Sequence, residues 1–309
     1  MAELIDLSKV PVPDIIQPLS FELRFAALKQ ILINIDASYQ DVLALESDPL
    51  TKMLQTFAYR EMHLVAQINN ATRGNILASS TGNDLIALGS RYNLAPLVIQ
   101  AADDNAVPPI PAIIEDEKSF KRRVQMAFDG LNTAGSIDGY VFFALGADGR
   151  VADAKAVSPQ PCDMVLTVLS IEGDGTASEQ LLVKVRASFG LSADGLSQSS
   201  TPSKVRPQGD RVTVQSAEII GYSVEAQLQV LPGPDAQVVL AAANQALVIY
   251  QNEQRRLGAA HSRSGIYRAL HQPGVSNVNL ISPLADIAVL SHQAAFCTGN
   301  NVSIGNINE

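Results

Sequence analysis

Near Val151 the hydrophobic period of this chain changes, and no other feature limits its fold as much. Upstream, apolar residues recur three and four apart, as on one face of an α-helix. Downstream they alternate with polar residues, as on one face of a β-strand. A helical first part followed by mixed strands and helices predicts an α+β chain, with an N-terminal helical arm and two small mixed α/β units behind it.

The second half spells out these units. "RVADAKAVS" and "DMVLTVLSI" predict two strands, "EGDGTAS" a turn, and "SEQLLVKVRASF" a helix with Ser178 at its N-cap. After a polar loop, Val212 to Ile219 predicts a strand, and Val224 to Val230 another. "PGPD" stops that strand before helices over Asp235–Arg255 and Ser264–Leu270. "QPGVSNVNLISP" predicts a turn and a strand, and Ile287 to Ser291 a final strand. The order is β-β-α-β, then β-α-α-β-β.

In the first half, Pro11, Pro13 and Pro18 mark residues 1–20 as an extended arm. Phe21, Phe25, Leu28, Leu32, Ile35, Tyr39 and Val42 then follow at spacings alternating between four and three, a heptad seam. That pattern fits either a seam against another chain or the core helix of its own domain. Asp48 and Pro49 suit the N-cap and first turn of a second helix, with Gly74 as a point of interruption and Gly82 as its stop. "NDLIALGSRYNL" reads as a short helix capped by Asn83 or Asp84. Residues 96–117, with Pro96, Pro108, Pro109 and Pro111, predict a Pro/Asp-rich linker or crossing strand at a domain boundary. The expected division is 1–95, 96–117, 118–220 and 221–309.

Composition limits the chemistry. A length of 309 residues is enough for a self-sufficient core, and 47% apolar with 17% charged residues is globular material. A net charge of −9 argues against a nucleic-acid partner, which needs a clustered basic surface. The basic run Lys121-Arg122-Arg123 follows Glu115-Asp116-Glu117, and the two predict one solvated helix face. Cys162 and Cys297 are too few for a disulfide framework or a zinc site, which fits a reducing interior. "MAELIDLSKV" lacks the apolar core of a signal peptide, and the longest apolar stretch, Val238 to Tyr250, is too short for a membrane span.

No catalytic, metal or cofactor site is expected. The histidines are His63, His261, His271 and His292; His261 and His271 fall in helical territory as surface or capping residues, and no acid or cysteine follows these two at ligand spacing. Gly173 and Gly175 in "IEGDGTAS" approach a dinucleotide fingerprint, but Ser178 stands where a third glycine or alanine is needed. The readings left open beside a structural one are a nucleotide-binding or hydrolytic enzyme using the Gly173–Ser178 turn and a generic binding module of an injection machine.

The order of motifs adds more. "ESDPLTKMLQTFAYREMHLVAQINNA", "EKSFKRRVQMAFDGLNTAGSIDGYVFFAL", "DGRVADAKAVSP", "VRPQGDRVTVQSAEIIGYSVEAQLQVLPGP" and "HQPGVSNVNLISPLADI" follow one another. This order resembles the baseplate J family of contractile-tailed phages with P2-like tails and R-type pyocins, from about residue 40 onward. Matching elements are the acid-x-x-Pro lead at Glu46–Pro49, Ala58–Glu61, Ala134–Ser136 with Tyr140, and Arg206-Pro207 before a strand. Ile86 stands where the wider family often has Asp, and the polar tail "QAAFCTGNNVSIGNINE" has no counterpart in the broad pattern.

The resemblance implies a baseplate wedge subunit with no enzymatic role, assembled in the host cytoplasm. Its implied partners are a second J-type subunit, a smaller I-type wedge protein, a sheath initiator and the hub and spike proteins, with no nucleic acid and no membrane span. The N-terminal helices would enter a mixed helical bundle through the seam at Phe21–Val42. The unit at 221–309 would pair with a neighbouring subunit. Arg206, Pro207 and Arg211 would brace a turn between the two α/β units.

Overall fold

The computed structural model describes residues 4–132, 134–195, 203, 205–232 and 235–305. Part of the expected polar loop after Phe189, Gly233 and Pro234 of the expected stop, and the last four residues lie outside the described residues. The chain divides into two compact units, one over Glu3–Ala95 and one from Pro96 to the C-terminus.

The first unit is helical. α1 spans Phe21–Ile35, α2 Tyr39–Leu43, α3 Pro49–Gly74 and α4 Gly82–Ser90. α1 and α3 begin as their sequences dictate. The Ser20 side chain accepts from Leu23 N–H and the Asp48 carboxylate from Leu50 N–H, satisfying donors that a first turn leaves unpaired. The heptad seam does not lie on one helix. It breaks after Ile35, where Asp36 turns back to accept from the Ser38 N–H at 2.9 Å, so Tyr39 and Val42 fall on α2. α3 ends at Gly74, not Gly82. Gly82 opens α4 with a φ of +53°, a left-handed conformation that glycine adopts without strain, and Thr81 rather than Asn83 or Asp84 is the N-cap.

The second unit opens with a ribbon. β1 (Val98–Gln100) pairs antiparallel with β2 (Ile113–Ile114), so the proline-rich segment carries paired strands. α5 (Glu117–Gln125) and α6 (Ile137–Ala147) follow, capped by Asp116 and Ser136. The two α/β elements then appear in the expected order. β3 (Val151–Gln160), β4 (Asp163–Ser170), α7 (Glu179–Ser188) and β5 (Arg211–Ser216) make a sheet of order β3-β4-β5. β4 is antiparallel to β3 and parallel to β5, with α7 as the crossover. Residues of α6, α7 and this sheet bury one core, including Val141, Leu166, Leu181 and Phe189.

β6 (Glu218–Val230), α8 (Ala236–Gln254), α9 (Arg263–Leu270), β7 (Val275–Ser282) and β8 (Gln293–Ile304) form the second element, with sheet order β7-β6-β8. Its core joins Val224, Leu228, Ala243, Leu247, Ile266 and Leu270. Three sequence expectations change here. The strand expected to end at Ile219 stops at Ser216, and Ile219 belongs to β6. The change of sheet is completed over one residue step: Ala217 N–H still bonds Val168 O in the first sheet, and Glu218 N–H bonds His292 O beside the second. Ile287–Ser291 is not a strand; Ile287 makes only an isolated bridge with His261. The polar tail is β8 instead, lying parallel to β6 from Gln293 to Ile304. Buried Ala294 and Ala295 hold it in place, and residues that small carry almost no alternating signal.

Candidate assembly surfaces

Each helix of the first unit divides its apolar residues between two faces. On α1, the seam residues Phe21, Phe25, Leu28 and Leu32 are half-buried, and α1 packs against α3. Arg24 reaches Glu61 of α3 at 2.7 Å from the same side, and Lys29 Nζ donates to Leu43 O at 2.7 Å while lying over the Phe25 ring. Ile35 is 73% exposed, and Tyr39 and Val42 are exposed on α2. Leu23 and Ile31, outside the heptad, are 68% and 55% exposed. The seven seam residues therefore do not form one surface.

α3 carries a second apolar stripe that the seam pattern misses. Its inner face holds Leu54, Ala58 and Asn69. Met53, Phe57, Leu64 and Ile68 are all more than half exposed. At roughly 100° per residue they fall within about 60° of one another. The signal was present in the spacing, but period alone cannot distinguish an inward stripe from an outward one. Asn69 also clips the N-terminal arm: its Oδ1 accepts from Gln17 N–H at 3.1 Å and its amide donates to Gln17 O at 2.8 Å.

The Arg206 turn is a tied corner. Arg206 donates through Nε to Phe189 O at 2.8 Å and through Nη1 to Asp210 O. Asp210 accepts from Tyr140 Oη at 2.7 Å, and the Tyr140 ring stacks on Phe189. Burial, reinforced by the Asp210 carboxylate, pushes the Tyr140 hydroxyl well above its ordinary pKa. Pro207 lies so close to Gly135 that a Cβ there would meet its ring at 2.6 Å. These partners belong to α6, to α7 and to the turn itself. Arg211 has no part in the knot: its side chain is 85% exposed, 4.0 Å from Asp163.

Several donors in and beside the Gly173–Ser178 turn are committed within the protein. Glu172 N–H bonds Ser170 Oγ, Gly175 N–H bonds Glu172 O, Thr176 N–H bonds Asp174 Oδ1 and Ala177 N–H bonds Ser216 Oγ. A phosphate cradle needs such N–H groups aimed at the ligand. Here Arg255 Nη2 donates to Gly173 O at 2.7 Å from the C-terminal end of α8, and a Cβ on Gly175 would meet Leu169 at 2.7 Å. The turn is a junction between the two sheets.

Charged residues expected to be solvated prove structural. Glu115 and Arg123 are both buried and bonded twice, at 2.9 and 2.7 Å, and Glu115 also accepts from Leu97 N–H at 3.1 Å. Arg122 reaches Asp153 at 2.7 Å. Folding the ribbon back over α5 brings these partners together, which local sequence does not reveal. His261 is not helical but sits between α8 and α9, 1% exposed, with Nδ1 2.9 Å from Tyr222 Oη. Burial pushes its pKa below the ordinary value, partly offset by the Gln254 carbonyl. Among the described residues no group of three or more His, Cys, Asp and Glu is placed to hold a metal ion, and no helix is long and apolar enough to cross a membrane.

Residues 46–103 match the family described as the Baseplate J-like N-terminal domain. The chain is 42% identical over 311 residues to Baseplate protein J of Escherichia phage P2, covering 99% of each. A chain in the baseplate of the anti-feeding prophage (AFP) superposes with a TM-score of 0.41 at 12% identity, over 67% of this chain and 49% of that one.

Proposed function

This chain belongs to the baseplate J family, and from that premise we propose that it serves as a wedge subunit of a contractile tail. It is a structural component of a phage-type baseplate, by identity along nearly its whole length with a phage baseplate protein. In the finer reading it joins a second copy of itself and a smaller I-type partner in wedges around the hub and spike. There it couples baseplate opening to sheath contraction and performs no catalysis.

The observation that carries this reading is the outward apolar surface of the helical unit. Leu23, Ile31 and Ile35 on α1 and Met53, Phe57, Leu64 and Ile68 on α3 are each more than half exposed. Single exposed apolar residues are ordinary, but repeated stripes on adjacent helices suit helices from partner subunits. In this reading the seam residues Phe21 to Leu32 fasten α1 to α3, and the outward stripes receive the partner.

The segment 96–117 contributes a ribbon anchored to α5, so the proposal sets any joint between the units near Pro96. Coupling then requires contacts that differ in strength between the resting and triggered baseplates.

The test is incorporation. Ile31→Asp and Phe57→Asp alter outward residues and leave the inner face intact. Full-length variants are expected to keep their melting temperature and to be lost from purified baseplates. Normal incorporation of both would reject the helical-bundle reading. Retention of the wild-type chain with ligand but never with tail proteins would reject the wedge reading altogether.

A further inference from the structure

The outer face of α8 carries almost no charge. Over its 19 residues the only ionisable acid or base is Glu253, in the last turn, apart from the inward Tyr250. Val239, Ala243, Leu247 and Tyr250 turn inward to the core. The opposite face presents Val238, Ala241, Ala242, Gln245, Val248, Ile249 and Asn252. Val238 is 66% exposed, Ile249 51% and Val248 46%. A helix face that stays in water normally carries charges, as α5 does.

This face has an internal order. Gln245 stands at its centre. Three and four residues before it lie the small Ala241 and Ala242. Three and four residues after it lie the large Val248 and Ile249. Val238 and Asn252 stand seven residues away on either side. If the face meets its own copy running antiparallel, each Val248–Ile249 pair fills the hollow over the other copy's Ala241–Ala242. Gln245 then meets its own counterpart on the two-fold axis, and a carboxamide is self-complementary because it both donates and accepts. A parallel arrangement sets large against large and small against small.

We propose that α8 is a pairing surface for a second copy of this chain, docked antiparallel about Gln245. The proposal rests on the wedge reading, in which two copies sit side by side, and names the surface they use. The face is small: about 28 Å of helix, roughly 10 Å wide, offers on the order of 280 Å². A stable dimer needs roughly 800 Å² per partner. The purified chain is therefore expected to remain monomeric, with pairing confined to assembled particles, where neighbouring contacts hold the copies close.

Cysteine trapping in assembled baseplates tests this. Full-length chain carrying Gln245→Cys, with Cys162→Ser and Cys297→Ser, is incorporated into particles and oxidised. A covalent dimer is expected. Ala241→Cys on the same background is expected to give none, because the two copies of residue 241 lie about 12 Å apart along the axis, beyond the roughly 7 Å that a disulfide spans. Dimers from Ala241→Cys would overturn the antiparallel register. If Gln245→Cys gives no dimer while dihydrazide cross-linking of acidic side chains still joins the 221–309 units of two copies, the α8 assignment fails and copy pairing stands. If no cross-link of either kind joins two copies, both fail.

Discussion

The carboxylate of Asp153 accepts a 3.0 Å hydrogen bond from the backbone N–H of Leu257, 104 residues further along the chain. Its other oxygen takes Arg122 of α5 at 2.7 Å. One buried acid thus ties α5, the first sheet and the segment after α8. Beside it, Leu169, Ala217, Leu257 and Ala294 close an apolar junction between the sheets.

Asp153→Ala removes the acceptor from both partners. Loss of a charge-assisted hydrogen bond and burial of an orphaned N–H cost roughly 3 kcal/mol together. For a unit this size the melting temperature is expected to fall by about 6–12 °C. Asp153→Asn keeps one acceptor and is expected to lose less. Calorimetry of the two variants checks the order; equal stability would show that the tie carries no weight.

Glu115→Gln leaves Arg123 buried without its charge partner. Breaking such a pair costs about 3–5 kcal/mol. The ribbon of β1 and β2 depends on the pair, since Glu115 also accepts from Leu97 N–H. Limited proteolysis is expected to cut between residues 100 and 112 much faster in the variant than in the wild type. An unchanged cleavage pattern would mean that the ribbon is held by other contacts.

Arg206→Lys retains the charge but not the fork that serves two carbonyl groups. A loss of roughly 1–2 kcal/mol is expected, read as a lower denaturant midpoint with an unchanged slope. Arg211→Lys, at an exposed position, is expected to change the midpoint negligibly.

Acid should weaken the C-terminal element before it weakens the rest. His261 has a depressed pKa in the folded chain, so the unfolded chain takes up its proton first as pH falls. Its contribution is complete above the unfolded value, 6.5, and is lost below it. A falling melting temperature between pH 7.5 and about 5.5 is expected, and a flatter profile for His261→Gln. Asp148 acts lower down. Burial alone would raise its pKa, but hydrogen bonds from Arg150 and Lys184 hold it at about 2, so its contribution is present above 3.8 and lost as pH falls through 2. A His261→Gln profile as steep as the wild type would assign the upper transition to another group.

Much of the architecture was legible locally because its causes are local. Caps at Asp48, Ser178 and Asp235 bond donors two or three residues away, so their helices begin where the sequence says. The alternation from Val224 to Val230 likewise reports one core-facing side of β6. The candidate surfaces were less legible. A three-and-four spacing marks one helix face, but Phe21 and Leu23, both apolar, lie roughly 160° apart on α1. Which side faces α3 is decided by α3.

The sequence by itself determined the class of the chain, the order of most of its strands and helices, and most of their starting points, since propensity, period and capping act within a few residues. The tertiary structure alone decided that the polar stretch after His292 is β8, because a strand of small and amide residues exists only through its ladder with β6. It alone decided that Glu115, Arg123 and His261 are buried, because their cost is met by partners that folding brings near. It also decided which apolar stripes remain outside, since exposure is set by what packs on a face and not by the face's own composition.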